Sequence, residues 1–167
     1  PLQESALATR RRLLGNDHPE TLTSINNMAI LLQWWGKLKE AEPYLRECLE
    51  RKRRVYGDDK EETIIAIANL GSQMLYMGRA AEAEPLYAEG LERSRKLTDK
   101  PNQVLINMLG AIGTLKNEQG KFEEAEKYDR EALELNRAAH GSDHQDTLSA
   151  LGNLATALKA QGKLAEA

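Results

Sequence analysis

Four stretches of this chain superimpose without a gap: "WWGKLKEAEPY" from Trp34, "YMGRAAEAEPL" from Tyr76, "EQGKFEEAEKY" from Glu118 and "AQGKLAEA" from Ala160. Their glycines, Gly36, Gly78, Gly120 and Gly162, recur every 42 residues. Other columns keep the register: Ala41, Ala83, Ala125 and Ala167; Leu7, Leu49, Leu91 and Leu133; Ile25, Ile67, Leu109 and Leu151. A fixed period of this length is the signature of a unit that stacks on copies of itself, and it constrains the fold more than any local propensity.

Each unit reads as two helices. In "ETLTSINNMAILLQWW", Leu22, Ile25, Met28, Ala29 and Leu32 fall at three- and four-residue steps and make one apolar stripe. Gly36 then stops the helix. In "LKEAEPYLRECLERKRRVY", Leu38, Ala41, Leu45, Cys48 and Leu49 form a second stripe. The small Ala41 column lets the paired helices approach closely. Pro43 and Pro85 are expected in first turns, where a missing amide hydrogen costs little. One such hairpin cannot bury both faces, so the predicted fold is all-α, an α-solenoid of stacked antiparallel helix pairs. The expected segmentation is one solenoid over 1–167: the second helix of a truncated repeat at 1–14, repeats at 15–56, 57–98 and 99–140, and a truncated repeat at 141–167. Pro1 aligns with Pro43 and Ala167 with Ala41, so both ends cut a hairpin. A segment of a longer array, or end-to-end stacking into a homo-oligomer, is the expectation.

Charge and cysteine content exclude several classes of function. A net charge of −3 gives no bulk attraction for nucleic acid or an anionic membrane. No apolar run is long enough to span a bilayer, and the single Cys48 forms no internal disulfide. The expected setting is cytoplasmic.

The pattern "LGNDHPETLTSINNMAILLQWWGKLKEAEPYLRECLERKRRVYG", echoed by "HGSDHQDTLSALGNLATALKAQGKLAEA", resembles the tetratricopeptide repeats in the long-period form of kinesin light chains. The resemblance covers essentially the whole chain and implies a right-handed superhelix. It also implies protein or peptide binding in the concave groove lined by the first helices, as in a scaffold or adaptor. The third repeat departs from the pattern with "TDKPNQVLINMLGAIG", which has no Gly-x-Asp linker and no matching asparagine.

Several residues invite a chemical reading. "GNDHPETL" gathers a histidine, two carboxylates and a threonine, but His18 and His144 share their column with Lys60 and Asn102. A better reading is a helix start, with Asp17, Asp59 and Asp143 as caps and Glu20, Glu62 and Asp146 three residues on, close to a capping box. His140 and His144 have the spacing of a metal pair, but Gly141 interrupts them, so no metal is assigned. No Ser/His/Asp set, phosphate loop or CxxC pair is present. Neither enzymatic turnover nor a cofactor is expected.

Opposite the core stripe, the first helices present Thr23, Asn26, Asn27, Ile30, Gln33 and Trp34, then Ile65, Ala68, Asn69, Ser72, Leu75 and Tyr76. Asn27, Asn69 and Asn153 share a column although asparagine is a poor mid-helix residue. A carboxamide suits the backbone of an extended peptide. The resemblance assigns these positions to peptide contact; an inter-repeat hydrogen-bond ladder is the structural alternative. Trp34 and Tyr76 are candidate hot spots or packing groups, and Trp35 is expected to pack. The groove columns hold almost no Lys or Arg, Lys159 excepted, so the basic clamp with which some tetratricopeptide domains hold a carboxylate terminus is missing. Arg11, Arg53, Arg95 and Arg137 instead form a column near the ends of the second helices. That column complements the helix dipoles or offers a ridge to an acidic partner.

Overall fold

The computed structural model describes residues 2–97, 102–163 and 165–166. Pro1, Leu164, Ala167 and the linker residues 98–101 lie outside the described residues, and with them the fourth member of the alanine column. The elements are α1 (Leu2–Leu14), α2 (Pro19–Trp34), α3 (Leu38–Tyr56), α4 (Glu61–Tyr76), α5 (Ala80–Lys96), α6 (Gln103–Glu118), α7 (Phe122–His140) and α8 (Gln145–Ala160). The expected α-solenoid holds. Each helix packs on its sequence neighbours, and α4 also meets α6, as α6 meets α8. The backbones of α3, α5 and α7 make no such skip contacts. The first helices therefore line the inside of the curve and the second helices its outside.

The turn glycines have a backbone reason. Gly36, Gly78, Gly120 and Gly162 sit at φ of 71°, 71°, 72° and 78°, a region that side chains with a Cβ avoid. At the first, the Gly36 amide donates to the Gln33 carbonyl at 2.9 Å and Lys37 to Leu32 at 2.8 Å. This paired closure of a helix end recurs at the other three. The next helix begins almost at once, which corrects the proline assignment. Pro43 and Pro85 are each the sixth residue of their helix, not in its first turn. Both are exposed, so the carbonyls of Lys39 and Ala81, left without an amide donor from the ring, lie on a wet face.

The capping assignment is also corrected. The N-cap of α2 is His18, whose Nδ1 accepts from the Glu20 amide at 3.3 Å, and that of α8 is His144, accepting from Asp146 at 3.2 Å. Asn102 caps α6 through Leu105 at 2.8 Å. Lys60, in the same column, makes no cap. Asp17 is instead gripped by Arg54 at 2.6 Å and Arg51 at 2.9 Å, which hold its carboxyl below the usual range. Asp59 meets Arg93 at 2.6 Å in the same way. These two carboxylates fasten their linkers to the second helix of the same repeat; at α2 the cap falls to the next side chain, His18, and at α4 Lys60 supplies none.

Neighbouring repeats are tied at both rims. Arg11, Arg53 and Arg95 reach Glu47, Glu89 and Glu131 of the following repeat at 2.7, 2.7 and 2.9 Å. At the other end of the second helices, Glu42 takes Arg79 at 2.6 Å, Glu84 takes Lys116 at 2.7 Å and Glu126 takes Lys163 at 2.8 Å. Hydrogen bonds from Lys163, Arg130 and Gln161 hold the Glu126 carboxyl down at about 2. Lys116 is buried, but the pairs made by Arg11, Arg53 and Arg95 are partly exposed on both sides, so each of these contributes at most about 1 kcal/mol. Arg53→Gln is accordingly expected to lower unfolding free energy by less than about 1 kcal/mol, with the loss shrinking in molar salt. Denaturant titration at two ionic strengths reads it.

Candidate interaction groove

One core column of the first helices is matched in size to the second helices that face it. Ala29, Gly71 and Gly113 share one position, and Leu45, Tyr87 and Asp129 face it from the second helices. A Cβ on Gly71 would stand 2.6 Å from the Tyr87 ring, and one on Gly113 would collide with the Asp129 carboxylate. The larger or more polar partner thus requires glycine opposite. The Tyr87 hydroxyl is satisfied by Ser72 at 3.0 Å. Asp129 is not: it is wholly buried, and neither carboxylate oxygen has a hydrogen-bond partner. Burial pushes its carboxyl up to about 6, opposed in part by the side chain of Asn117.

Among the groove residues named from the sequence, Thr23, Asn27, Trp34, Tyr76 and Asn153 are exposed, whereas Asn26, Ile30, Gln33, Asn69 and Ser72 are half-buried. The half-buried polar ones mostly hold the repeats together. The Asn69 amide donates to Asn26 Oδ1 at 3.0 Å, and Gln33 donates to Gln73 Oε1 at 2.6 Å. Gln73 in turn donates to the Leu38 carbonyl at 2.6 Å. Ser72 is engaged by Tyr87, and the Thr23 hydroxyl bonds the Pro19 carbonyl at 3.0 Å. The asparagine column is therefore divided: Asn69 forms a rung between repeats, and Asn27 and Asn153 are exposed, with no side-chain hydrogen bond to another of the described residues.

The aromatics are free. Trp34 is 82% exposed and Tyr76 68%. With Gln33, Gly36 and Leu38 they line an open hollow of about 500 Å³. Trp35 does not pack as expected and is 56% exposed. The cause is its place as the last, non-helical residue before Gly36, where the chain has already begun to turn away from the core.

Of the arginine column, Arg11, Arg53 and Arg95 are occupied by the inter-repeat ion pairs described above. Arg137 is exposed and has no such pair among the described residues. The His140 and His144 rings stack with centroids 4.6 Å apart. Their nitrogens are directed to Gln103 and to the α8 cap. No cluster of three metal-ligating side chains occurs among the described residues, and no described helix is long and apolar enough to cross a membrane.

Sequence inspection missed a second opening. A cavity of about 320 Å³ lies between α6 and α8 on the groove side, with α7 as its floor. Asp129 and Asn136 line it from below, and Gln103, Asn107, Asp146 and Asn153 surround the mouth. One repeat earlier the corresponding space is closed, because Met108 stands where Ala150 is here and packs its Cε against Gly90. The sequence signal was available: Leu45 and Tyr87 give way to Asp129 within a core column.

The chain matches the family profile of the tetratricopeptide repeat over residues 1–54, 25–96 and 104–167. Its fold is similar to that of BtubC (BKLC) from P. vanneervenii, with a TM-score of 0.84 at 20% identity over 99% of this chain and 66% of that one. A Podosopora anserina protein with nearly identical TPR-like repeats of kinesin light chain type gives a TM-score of 0.80 at 19% identity, over 99% of this chain and 78% of that one. A single-substitution form of that protein gives 0.82. No curated protein matches the sequence.

Proposed function

The chain belongs to the tetratricopeptide repeat family, and from that footing we propose that it is a protein-interaction scaffold whose concave groove holds a peptide segment. The observation that carries this reading is the pair Trp34 and Tyr76 at the ends of two neighbouring first helices, which leave large aromatic faces in solvent beside a hollow. Exposed aromatics of this kind are costly to keep wet and are enriched at interface hot spots. Asn27 and Asn153 supply amides able to donate and accept along an extended backbone. Few basic side chains face the groove, so recognition rests on apolar contact and amide hydrogen bonds, not on bulk charge.

The test is capture of a partner with this chain, followed by competition with short peptides cut from it. Trp34→Ala and Tyr76→Ala are each expected to weaken the competing peptide about tenfold, and Asn27→Ala by less. Affinity should change little between low and moderate salt. Unchanged affinity in all three variants would exclude the groove. Steep loss of binding with salt would redirect attention to the exposed Arg137 end of the arginine column.

A second reading, self-association, rests on α8. Leu148 and Leu151 are 55% and 43% exposed, whereas their column mates Leu22, Ile64, Ile106, Ile25, Ile67 and Leu109 are buried. Molecular mass measured against concentration separates the two: a constant monomer mass rejects self-association.

A further inference from the structure

On the outer side of the curve a separate hollow of about 420 Å³ lies between α5 and α7, with α6 beneath it. Ala88, Leu91, Ile112 and Tyr128 line it, and Glu84 and Lys116 stand towards one end. The two flanking junctions between second helices show what the chain itself places there. Arg46 and Arg130 share the column of Ala88. Arg46 bridges Glu42 of its own helix at 2.7 Å and Glu82 of the next at 3.6 Å, with its guanidinium 3.9 Å from the Met74 sulfur. Arg130 likewise joins Glu126 at 2.8 Å to Glu166 at 3.1 Å. The hollow left at the first junction begins at Arg46 and runs towards Asp58, and neither Glu42 nor Met74 lines it. The arginine has closed the carboxylate end.

At the middle junction alanine leaves that end open, and the carboxylates are short of a cation. Glu84 and Glu124 hold the columns of Glu42 and Glu82. Arg46 and Arg79 both serve Glu42, at 2.7 and 2.6 Å, and Arg130 and Lys163 both serve Glu126, each at 2.8 Å. Between α5 and α7 a single lysine does the work: Lys116, rising from the core column of Met74 and Leu158, meets Glu84 at 2.7 Å and Glu124 at 3.1 Å. Lys121, in the column of Arg79 and Lys163, makes no ion pair among the described residues. The two carboxylate side chains are 43% and 50% exposed, so their remaining lone pairs are open to a visitor. Lys116 does not exclude a second cation, because Arg46 and Arg79 sit together on Glu42 one repeat earlier.

We propose that this hollow is a docking site for a partner protein, which inserts one arginine side chain over Ala88 and completes from outside the ion pairs that Arg46 and Arg130 complete from within. The aliphatic stem lies against Leu91 and Ile112, and the guanidinium fork meets Glu84 and Glu124. Tyr128 stands where the first junction has Leu86 and adds an aromatic wall, on which a planar guanidinium stacks better than an ammonium. The site is on the second helices and does not depend on the groove formed by the first.

The whole chain, labelled with ¹⁵N, is titrated with N-acetyl-arginine methylamide and with its citrulline counterpart, which keeps the shape and removes the charge. The arginine compound is expected to shift the Ala88 backbone amide and the side-chain amide of Gln119, which donates to Glu84 at 3.1 Å. The citrulline compound should bind at least about tenfold more weakly. Ala88→Arg, which restores the side chain found at the neighbouring junctions, should abolish the response while leaving the thermal transition cooperative. Equal responses to the two compounds, no response at Ala88 and Gln119, or a full response in Ala88→Arg overturns the proposal. Free arginine binding more tightly than its blocked form would mark a metabolite site and also overturns it. The groove is read separately. A captured partner that loses affinity for Ala88→Arg but not for Trp34→Ala supports docking on the outer face, and one with the reverse pattern refutes it and leaves the groove intact.

Discussion

At about pH 7.5, Asp129→Asn is expected to raise the unfolding free energy by about 3 kcal/mol, an unusual direction for a change in a closely packed core. The carboxyl rises from an ordinary value near 3.8 to about 6 in the folded chain, because burial disfavours its charge by more than the side chain of Asn117 restores. The folded state therefore keeps the proton over a range in which the unfolded state has released it. Below about pH 3.8 both states are protonated and the site costs nothing. Stability then falls as pH rises towards about 6, and above that the full penalty of about 3 kcal/mol persists. The variant lacks this ionisation, so the two proteins should converge near pH 4 and separate as pH is raised. Asp146, the other carboxyl lining the cavity, is common to both and cancels in the difference. Denaturant titrations at a series of pH values read the effect; a gap independent of pH would show that Asp129 is not the titrating group.

The second large effect concerns the complementary pair in the middle repeat. Gly71→Ala places a methyl 2.6 Å from the Tyr87 ring, in a core where both residues are buried, and overpacking of this sort costs about 1–3 kcal/mol. Tyr87→Leu removes volume and the hydroxyl bond to Ser72, for a loss of about 2–4 kcal/mol. The double variant recreates the Ala29–Leu45 combination that the first repeat already uses. Its cost is expected to fall short of the sum by about 1–2 kcal/mol, the coupling typical of residues in contact. Strict additivity would mean that the two positions do not constrain one another.

The architecture was readable because it is written repeatedly. Three chances to see Gly36 in register with Gly78 and Gly120 outweigh any single ambiguous helix boundary, and a glycine that must adopt positive φ leaves the same mark each time. What stayed hidden depends on side-chain competition that a column cannot display. Asp17 looked like a cap until Arg51 and Arg54 engaged it, 34 and 37 residues away in sequence. His18 then took the cap with Nδ1. Trp35 differs from Trp34 by one residue, and its exposure is decided by the turn that follows, not by the helical wheel. The helical wheel puts Asn27 and Asn69 in one column, but the sequence alone could not separate Asn69, spent on Asn26, from the exposed Asn27. The cavity escaped because it depends on several columns read together: Ala150 where the preceding repeat has a methionine, Gly110 where the first has an asparagine and Asp129 where the second has a tyrosine. Each alone looks like ordinary drift in a repeat; only their convergence in space opens a pocket.

Every rung joining one repeat to the next is short in sequence. Among the described residues no side-chain hydrogen bond spans more than the 43 positions between Asn26 and Asn69. Nothing among them ties α1 to α8, so no late, long-distance closure has to wait for the rest of the chain. Such a molecule folds by extension from whichever interface forms first and loses structure one junction at a time. The junction carrying the buried Asp129 bears an ionisation penalty that grows with pH, and this places a pH-sensitive seam beside the cavity between α6 and α8.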